Sequence, residues 1–208
     1  MPDLCFEQAN PAAVIGIDEA GRGPWAGPVT VAAVWLSPAH YDQIPDGLDD
    51  SKKVSAAKRE RIFAALIDGP HHYAVTSIGV DMIDGLGILQ ATLHGMREVA
   101  ADLARHIEQQ AGLSVSLGLV DGNISPSLSC PEQLVIKGDS KSCSIAAASI
   151  IAKQTRDNIM DGLALDYPDY GWERNRGYGT RQHQQALAEN GVTPHHRRSF
   201  APVKRLLS

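Results

Sequence analysis

Three apolar runs in this chain each lead into an aspartate with a glycine nearby, and this pattern restricts the fold more than any other feature of the sequence. The runs and their acids are Val14–Ile17 with Asp18, Leu117–Val120 with Asp121, and Leu134–Ile136 with Asp139. Ligand sites in an open α/β sheet form outside the carboxyl ends of parallel strands. If the first run lies centrally beside the other two, the three aspartates approach one another at one edge of the sheet.

The rest of the chain mixes strand and helix patterns, and helices separate the later strands. This order predicts an α/β sheet with at least some parallel pairing. The first two strands are expected to pair across a turn rich in glycine and proline. The predicted strands are Val14–Asp18, Pro28–Leu36, Tyr73–Val80, Ser114–Val120 and Gln133–Lys137, the predicted helices are Ser51–Ile67, Asp81–Gln110, Ser144–Tyr167 and Thr180–Glu189, and Gly171–Gly179 is predicted to be a loop.

Carboxylates that converge in this way repel one another unless a cation neutralises them. Because the expected ligands are oxygens, without histidine or cysteine, the cation should be a hard divalent ion, Mg²⁺ or Mn²⁺ rather than zinc. Two other interpretations stay open on the sequence alone. An exposed turn would leave Asp18 and the adjacent Glu19 simply solvated, and Asp139 would serve as a cap for the helix that opens near Ser142.

Two further acids have undecided roles. Successive side chains of a strand face opposite ways, so Glu19 cannot simply duplicate Asp18. Either the following turn redirects the Glu19 side chain, or its backbone carbonyl supplies the ligand. In the long helix, Ile150, Lys153 and Asp157 share one face, which directs Asp157 toward the same site. An i,i+4 ion pair between Lys153 and Asp157 explains the same spacing equally well.

The charge of the chain is unevenly distributed. A chain of 208 residues suits one large domain, or a domain with a modest appendage. The net charge is −5, yet residues 174–208 hold seven Lys or Arg against one Glu, or +6, which leaves −11 for the other 173 residues. This asymmetry predicts an acidic body with a basic tail that can meet a polyanion, although a solvated basic helix and loop would give the same pattern.

The cysteines and the apolar stretches indicate in which cellular compartment the protein is expected. Three cysteines without Cys-x-x-Cys spacing argue against a disulfide framework and against a thiolate zinc site. The N-terminal segment lacks the basic region of a signal peptide, and no apolar stretch approaches the length of a membrane span. We therefore expect a cytoplasmic protein that makes no use of a membrane.

Six segments, taken together and in order, identify the chain as similar to a known family. They are GIDEAGRGPWAGPV at Gly16–Val29, DSKKVS at Asp50–Ser55, VDGN at Val120–Asn123, KGDSKSCSIAAASIIAKQTRD at Lys137–Asp157, RGYGT at Arg176–Thr180 and HRRSF at His196–Phe200. They resemble bacterial ribonuclease HII, the type 2 ribonuclease H family. The resemblance implies a ribonuclease-H-like fold, in which a mixed five-stranded sheet flanked by helices spans residues 1–168 and a small C-terminal helical extension spans residues 169–208.

The resemblance also implies an activity. It is endonucleolytic hydrolysis of the RNA strand of RNA–DNA hybrids, and incision 5′ of single ribonucleotides embedded in duplex DNA, leaving 3′-hydroxyl and 5′-phosphate ends. Another ribonuclease-H-like nuclease and a non-catalytic hybrid-binding module are the alternatives. The Gly21–Gly23 loop together with RGYGT argues against the first, and the intact acidic set argues against the second, since binding alone would favour fewer negative charges near phosphate.

The family's functional residues fall on defined positions of this chain. Its four catalytic and metal-binding acids correspond to Asp18, Glu19, Asp121 and Asp139, and an additional acid near the second of two Mg²⁺ or Mn²⁺ ions corresponds to Asp157. Its substrate-binding residues correspond to a ribose-reading loop of Gly21, Arg22 and Gly23, a phosphate contact at Lys52, and a stacking aromatic residue at Tyr178. Weaker candidates for phosphate contacts are Lys141, Lys153, Arg197 and Arg198.

The resemblance is less informative about protein partners. We expect a monomer, although the sequence does not reveal the oligomeric state. The C-terminal residues Val203–Ser208 contain no convincing sliding-clamp peptide, so that partner is left open.

Overall fold

Five strands form one sheet in the computed structural model, which describes residues 1–10 and 12–207. The strands are β1 (Ala13–Ala20), β2 (Val29–Trp35), β3 (His72–Ile78), β4 (Val115–Asp121) and β5 (Glu132–Val135). Their order is β3-β2-β1-β4-β5. The β1–β2 and β2–β3 pairs are antiparallel, whereas the β1–β4 and β4–β5 pairs are parallel. The predicted mixed five-stranded sheet is therefore confirmed, with β1 at its centre.

Helices connect and cover these strands. They are α1 (Cys5–Gln8), α2 (Ala56–Asp68), α3 (Val80–Leu86), α4 (Ile88–Ala111), α5 (Cys143–Asp166), α6 (Trp172–Asn175), α7 (Arg181–Asn190) and α8 (Ala201–Lys204), with short 3₁₀ turns at Pro38–Gln43, Gly138–Ser140 and Pro168–Tyr170. No helix in the described ranges is long and apolar enough to cross a membrane.

Two expectations about the helices were wrong. The single helix predicted over residues 81–110 is divided into α3 and α4 at Gly87, whose φ of 79° and ψ of 151° no helix can continue. The predicted loop at residues 171–179 contains α6, a single helical turn that follows Gly171. Tertiary packing stabilises this turn, because Trp172 is fully buried.

Side-chain hydroxyls fix where three helices begin. Ser55, Ser142 and Thr180 each accept a hydrogen bond from the backbone N–H three residues later, at 3.4, 3.2 and 3.3 Å respectively. The cap at Ser55 explains why α2 starts later than predicted. The cap at Ser142 means that Asp139 does not cap α5, so that interpretation of Asp139 was wrong.

Alternating side chains of the sheet pack against helices on both faces. On one face, Ala32 and Val34 pack against α5 and α2, and on the other, Val31 and Ala33 pack against α4. Asp18 is paired with Ala32 across β1 and β2, so its side chain belongs to the face covered by α5. The long helix α5 therefore lies directly beside the carboxyl end of the central strand.

The C-terminal segment packs onto the end of α5 and onto the β1–β2 connection. Trp172, Ala186 and Leu187 share a hydrophobic cluster with Met160 of α5 and with Ala26. This contact brings α6, α7 and the residues around them to the same end of the sheet as the acids. The boundary between residues 168 and 169 stays a prediction.

Candidate active site

The carboxyl ends of β1, β4 and β5 bring the three aspartates together. Ile17 pairs with Val120 in the parallel register, so the next residues, Asp18 and Asp121, lie side by side near the carboxyl ends of neighbouring strands. The backbone N–H of Gly138 donates a 2.7 Å hydrogen bond to Asp121 Oδ1. This bond holds the turn that follows β5, and Asp139 in it, against the end of β4.

The clustered carboxylates perturb one another. Burial raises the pKa of Asp18 well above its ordinary value of 3.8. The neighbouring charges of Glu19, Asp121 and Asp139 raise it further. The pKa of Glu19 is raised by burial and by Asp121, and this rise is opposed by Arg22 and Lys52. Burial also raises the pKa of Asp139, with Asp50 as the strongest neighbouring charge. Holding these acids ionised together is unfavourable without added positive charge.

Glu19 lies where the sheet places it. Strand β1 continues through Ala20, so no turn redirects the Glu19 side chain to the face of Asp18. The backbone N–H of Glu19 donates a 2.7 Å hydrogen bond to Asp18 Oδ1. The side chain of Glu19 faces Arg22, whose Nη1 lies 3.4 Å from Glu19 Oε1. Glu19 also borders a small cavity of about 90 Å³ that it shares with Asp121 and α4. The two adjacent acids thus reach the site from opposite sides of β1.

The donor set suits a hard divalent cation in chemical type, since it consists of carboxylate oxygens. Asp18 and Asp121 each use one oxygen to accept a backbone N–H, which leaves the second oxygen available. Within residues 1–10 and 12–207, however, no group of three or more His, Cys, Asp or Glu side chains is close enough to hold a metal ion. A cation would therefore have to draw these carboxylates closer together.

A cleft of about 320 Å³ opens beside Asp18 and Glu19. Its other lining residues are Ala20, Gly21, Arg22, Gly23, Ser51, Lys52, Ser149, Lys153, Arg156 and Tyr178. The Tyr178 side chain is 49% exposed, which excludes a packed core tyrosine. A Cβ placed on Gly23 would lie 3.4 Å from the Tyr178 ring, so ring and loop face each other. One cleft thus collects two of the acids, the glycine loop, Lys52 and Tyr178.

Comparison with known proteins agrees with this fold. The family model for ribonuclease HII matches residues 15–203. A relative from Rhodospirillum rubrum, ribonuclease HII, is 49% identical over 100% of this chain and 93% of its own length.

The chain belongs to the ribonuclease HII family.

The family assignment makes this chain a ribonuclease H, a phosphodiester hydrolase, as the sequence motifs predicted. Two solved structures share its fold. Ribonuclease H2 from Pyrococcus horikoshii is 27% identical with a TM-score of 0.72, and covers 93% of this chain and 96% of its own. A ribonuclease HIII in complex with Mn²⁺, designated Bst, is 21% identical with a TM-score of 0.79, over 97% of this chain and 71% of its own.

Asp157, the family's additional acid, has other partners in this structure. It is buried, and both its oxygens face cations: Arg59 Nη2 lies 3.2 Å from Oδ2, while Lys153 and, at 3.8 Å, Arg176 face Oδ1. The pair with Lys153 that competed with the metal-ligand interpretation is therefore present. Asp157 therefore pairs with three cationic side chains beside the cleft. Its role as a metal ligand stays a prediction.

Arg197, one of the weaker candidates for a phosphate contact, is not placed to make one. Its side chain is fully buried, and within residues 1–10 and 12–207 its guanidinium donates only to backbone carbonyls, those of Gly21, Arg22, Gly27 and Pro28. Burial lowers the pKa of Arg197 to about 9. The neighbouring Arg198 remains exposed, so it stays a candidate for that role.

Two residues beside the site were not identified from the sequence. Arg156 is buried under the glycine loop and donates to the carbonyls of Ala26, Pro28 and Arg176. Asp50 lies close enough to Asp139 to raise the pKa of that acid. The only available signal for either was its place inside a family motif, which does not distinguish structural from substrate-binding residues.

Proposed function

We propose that this protein is an endoribonuclease that hydrolyses the RNA strand of RNA–DNA hybrids and cuts on the 5′ side of single ribonucleotides in duplex DNA. The observation that carries the proposal is the shared cleft. Catalytic acids, a glycine loop with exposed backbone and a half-exposed tyrosine border the same space. A nuclease that selects ribonucleotides needs all three: groups for hydrolysis, contact with the 2′-hydroxyl, and a surface for a sugar or base.

Divalent cations, Mg²⁺ or Mn²⁺, are the proposed cofactors. Asp18, Glu19, Asp121 and Asp139 would hold them. Burial first, and repulsion between neighbouring carboxylates second, raise the pKa of Asp18, Glu19 and Asp139, so a bound cation would favour the ionised forms of these acids. Two bound ions would lower the pKa of an attacking water and stabilise the leaving 3′-oxygen, which leaves the 3′-hydroxyl and 5′-phosphate ends that the family resemblance implies. The chain's own acids set where that chemistry takes place.

The remaining cleft residues would bind and orient the substrate. Lys52 is exposed at the rim, where it can pair with a phosphate without sequence preference. The exposed Arg22 and Gly23 let a ribose approach the backbone of the loop. Tyr178 offers its ring to the sugar or base beside the cleavage point.

The basic C-terminal segment would extend this surface. Arg181, Arg198 and Lys204 are exposed on it and would add salt-dependent affinity for the duplex backbone. A monomeric state and a cytoplasmic location stay predictions, and a sliding-clamp partner stays open.

The decisive test is incubation with duplex DNA that carries one ribonucleotide, with and without Mg²⁺ or Mn²⁺. We expect incision 5′ of the ribonucleotide only when the ion is present, and no incision of the all-DNA duplex of the same sequence. A metal-independent cut, or a cut at any deoxynucleotide, would contradict the proposal. A long RNA–DNA hybrid in parallel separates activity on hybrids from activity at single ribonucleotides.

A further inference from the structure

Two buried arginines hold the loop that borders the cleft. Arg156 and Arg197 are 1% and 0% exposed, and each donates at least three hydrogen bonds to backbone carbonyls. Burying a guanidinium is costly unless its donors are satisfied, and here neutral carbonyls satisfy them. Such an arrangement fixes backbone direction in the residues that accept the bonds.

The two arginines share the carbonyl of Pro28 but otherwise act on different parts of the loop. Arg197 Nη2 and Nη1 donate to the carbonyls of Gly21 and Arg22 at 2.6 and 2.9 Å. Arg156 donates to the carbonyls of Ala26 and Pro28, at the far end of the loop, and to that of Arg176. Only Arg197 therefore sets the peptide planes of the exposed glycine segment.

The direction of those carbonyls decides where the next N–H groups point. In a trans peptide the C=O of one residue and the N–H of the following residue point in opposite directions, and the chain has no cis peptide among its described residues. With the carbonyls of Gly21 and Arg22 turned toward the buried Arg197, the N–H groups of Arg22 and Gly23 face the opposite way. No hydrogen bond within the described part of the protein uses either N–H.

We propose that Arg197 is a positioning residue for ribose selection: it turns the N–H groups of Arg22 and Gly23 toward the cleft, where they donate to the 2′-hydroxyl oxygen of the substrate. Two successive N–H groups that point the same way form a small concave site for an oxygen ligand. Phe200, whose ring lies 5.1 Å from the Arg197 guanidinium carbon, helps to keep the side chain in place. This inference rests on the proposed function, because it names how that same cleft recognises RNA.

The test compares Arg197→Lys with Arg156→Lys, two substitutions at equally buried positions. Both are made in an Asp121→Asn background, which is expected to bind the duplex without cutting it. Affinity is measured in Mg²⁺ for duplex DNA with one ribonucleotide and for the all-DNA duplex of the same sequence. We expect Arg197→Lys to reduce the preference for the ribonucleotide about tenfold, the loss of one or two hydrogen bonds, with little change on all-DNA duplex. Arg156→Lys should keep the preference, although both changes should lower the melting temperature.

The outcomes distinguish a failure of the proposed function from a failure of the role assigned to Arg197. If the Asp121→Asn background shows no preference for the ribonucleotide, ribose selection by this cleft, and with it the proposed function, is contradicted. If that preference is present and Arg197→Lys retains it, or if Arg156→Lys loses it equally, the role assigned to Arg197 is wrong.

A second measurement does not depend on the folding of any variant at position 197. In the ¹⁵N-labelled Asp121→Asn protein, the N–H signals of Arg22 and Gly23 should shift when the ribonucleotide-containing duplex is added and shift much less with all-DNA duplex. Equal shifts with both duplexes would overturn the inference.

Discussion

The backbone N–H of Gly138 lies 2.7 Å from Asp121 Oδ1, and this hydrogen bond joins the end of β4 to the turn that carries Asp139. It fixes one oxygen of Asp121 and leaves the other available. Because an asparagine can accept the same bond through its amide oxygen, charge and position can be separated experimentally at this residue.

Asp121→Asn is expected to reduce cleavage of a labelled hybrid in Mg²⁺ at least about 100-fold, while binding and fold persist. Without divalent ions the same change should raise the free energy of unfolding by up to about 1 kcal/mol, because it removes a charge that repels Asp18 and Glu19. Urea unfolding checks this rise. Asp102→Asn, an exposed acid paired with Arg105 on α4, is the matched control and should change neither quantity. Wild-type turnover by Asp121→Asn would remove Asp121 from the site.

The pH dependence of stability should report the pKa of Asp18. A carboxyl whose pKa is higher in the folded state binds protons more tightly there, so its stabilising effect is present below the unfolded value of about 3.8 and is lost as pH rises through the folded value. Buried His196, whose pKa burial lowers to about 3, acts in the opposite direction, because the unfolded chain takes up its proton first as pH falls below 6.5.

Asp18→Asn isolates the first effect. Without divalent ions, the variant should gain stability relative to wild type as pH rises from about 4 to 7, since only the wild type must ionise this buried acid. Urea unfolding at several pH values measures the difference. Millimolar Mg²⁺ should reduce it by stabilising the wild-type carboxylates. If the difference in stability does not change with pH, the pKa of Asp18 is not raised in the metal-free protein.

Asp157→Asn should destabilise the protein by about 3 kcal/mol or more, because it leaves the cations of Arg59, Lys153 and Arg176 without their shared counter-charge. Chemical unfolding without divalent ions gives this value. The matched control is Asp161→Asn. The half-exposed Asp161 side chain pairs with Arg176, and its substitution should cost less than about 1 kcal/mol. If Asp157→Asn is instead more stable than the wild type, the Asp157 carboxylate is repelled by the other acids in the metal-free protein. That result would be expected of a metal ligand.

Tyr178→Ala is expected to slow cleavage at a single ribonucleotide about tenfold or more, by removing a stacking surface. Its effect on the free energy of unfolding should stay below about 1 kcal/mol, because the side chain is half exposed. Tyr178→Phe keeps the ring and should retain most of the rate. Turnover by Tyr178→Ala equal to wild type would show that the ring does not contact the substrate.

The sheet could be predicted from the sequence because its signals are local. Runs such as Val14–Ile17 and Leu117–Val120 are apolar over the length of a strand, and the acids that end them mark the carboxyl ends that parallel pairing places side by side. The helix division at Gly87 was not predicted, although Gly85, Gly87 and Gly95 weaken the helical pattern in this part of the chain. Composition alone does not show whether a glycine inside a helical pattern adopts a positive φ.

The fold, the family and the candidate acids could all be predicted from the sequence, whereas the contacts of the charged residues became known only from the folded arrangement of the chain. Arg197 and Arg198 are adjacent and chemically identical, yet the first is buried against carbonyls some 175 positions earlier in the chain, such as that of Arg22, and the second is exposed. Asp157 likewise pairs with Arg59, which lies 98 positions away. The physical reason is that strand and helix patterns depend on neighbouring residues, while the environment of a charge depends on which distant segments the fold brings against it.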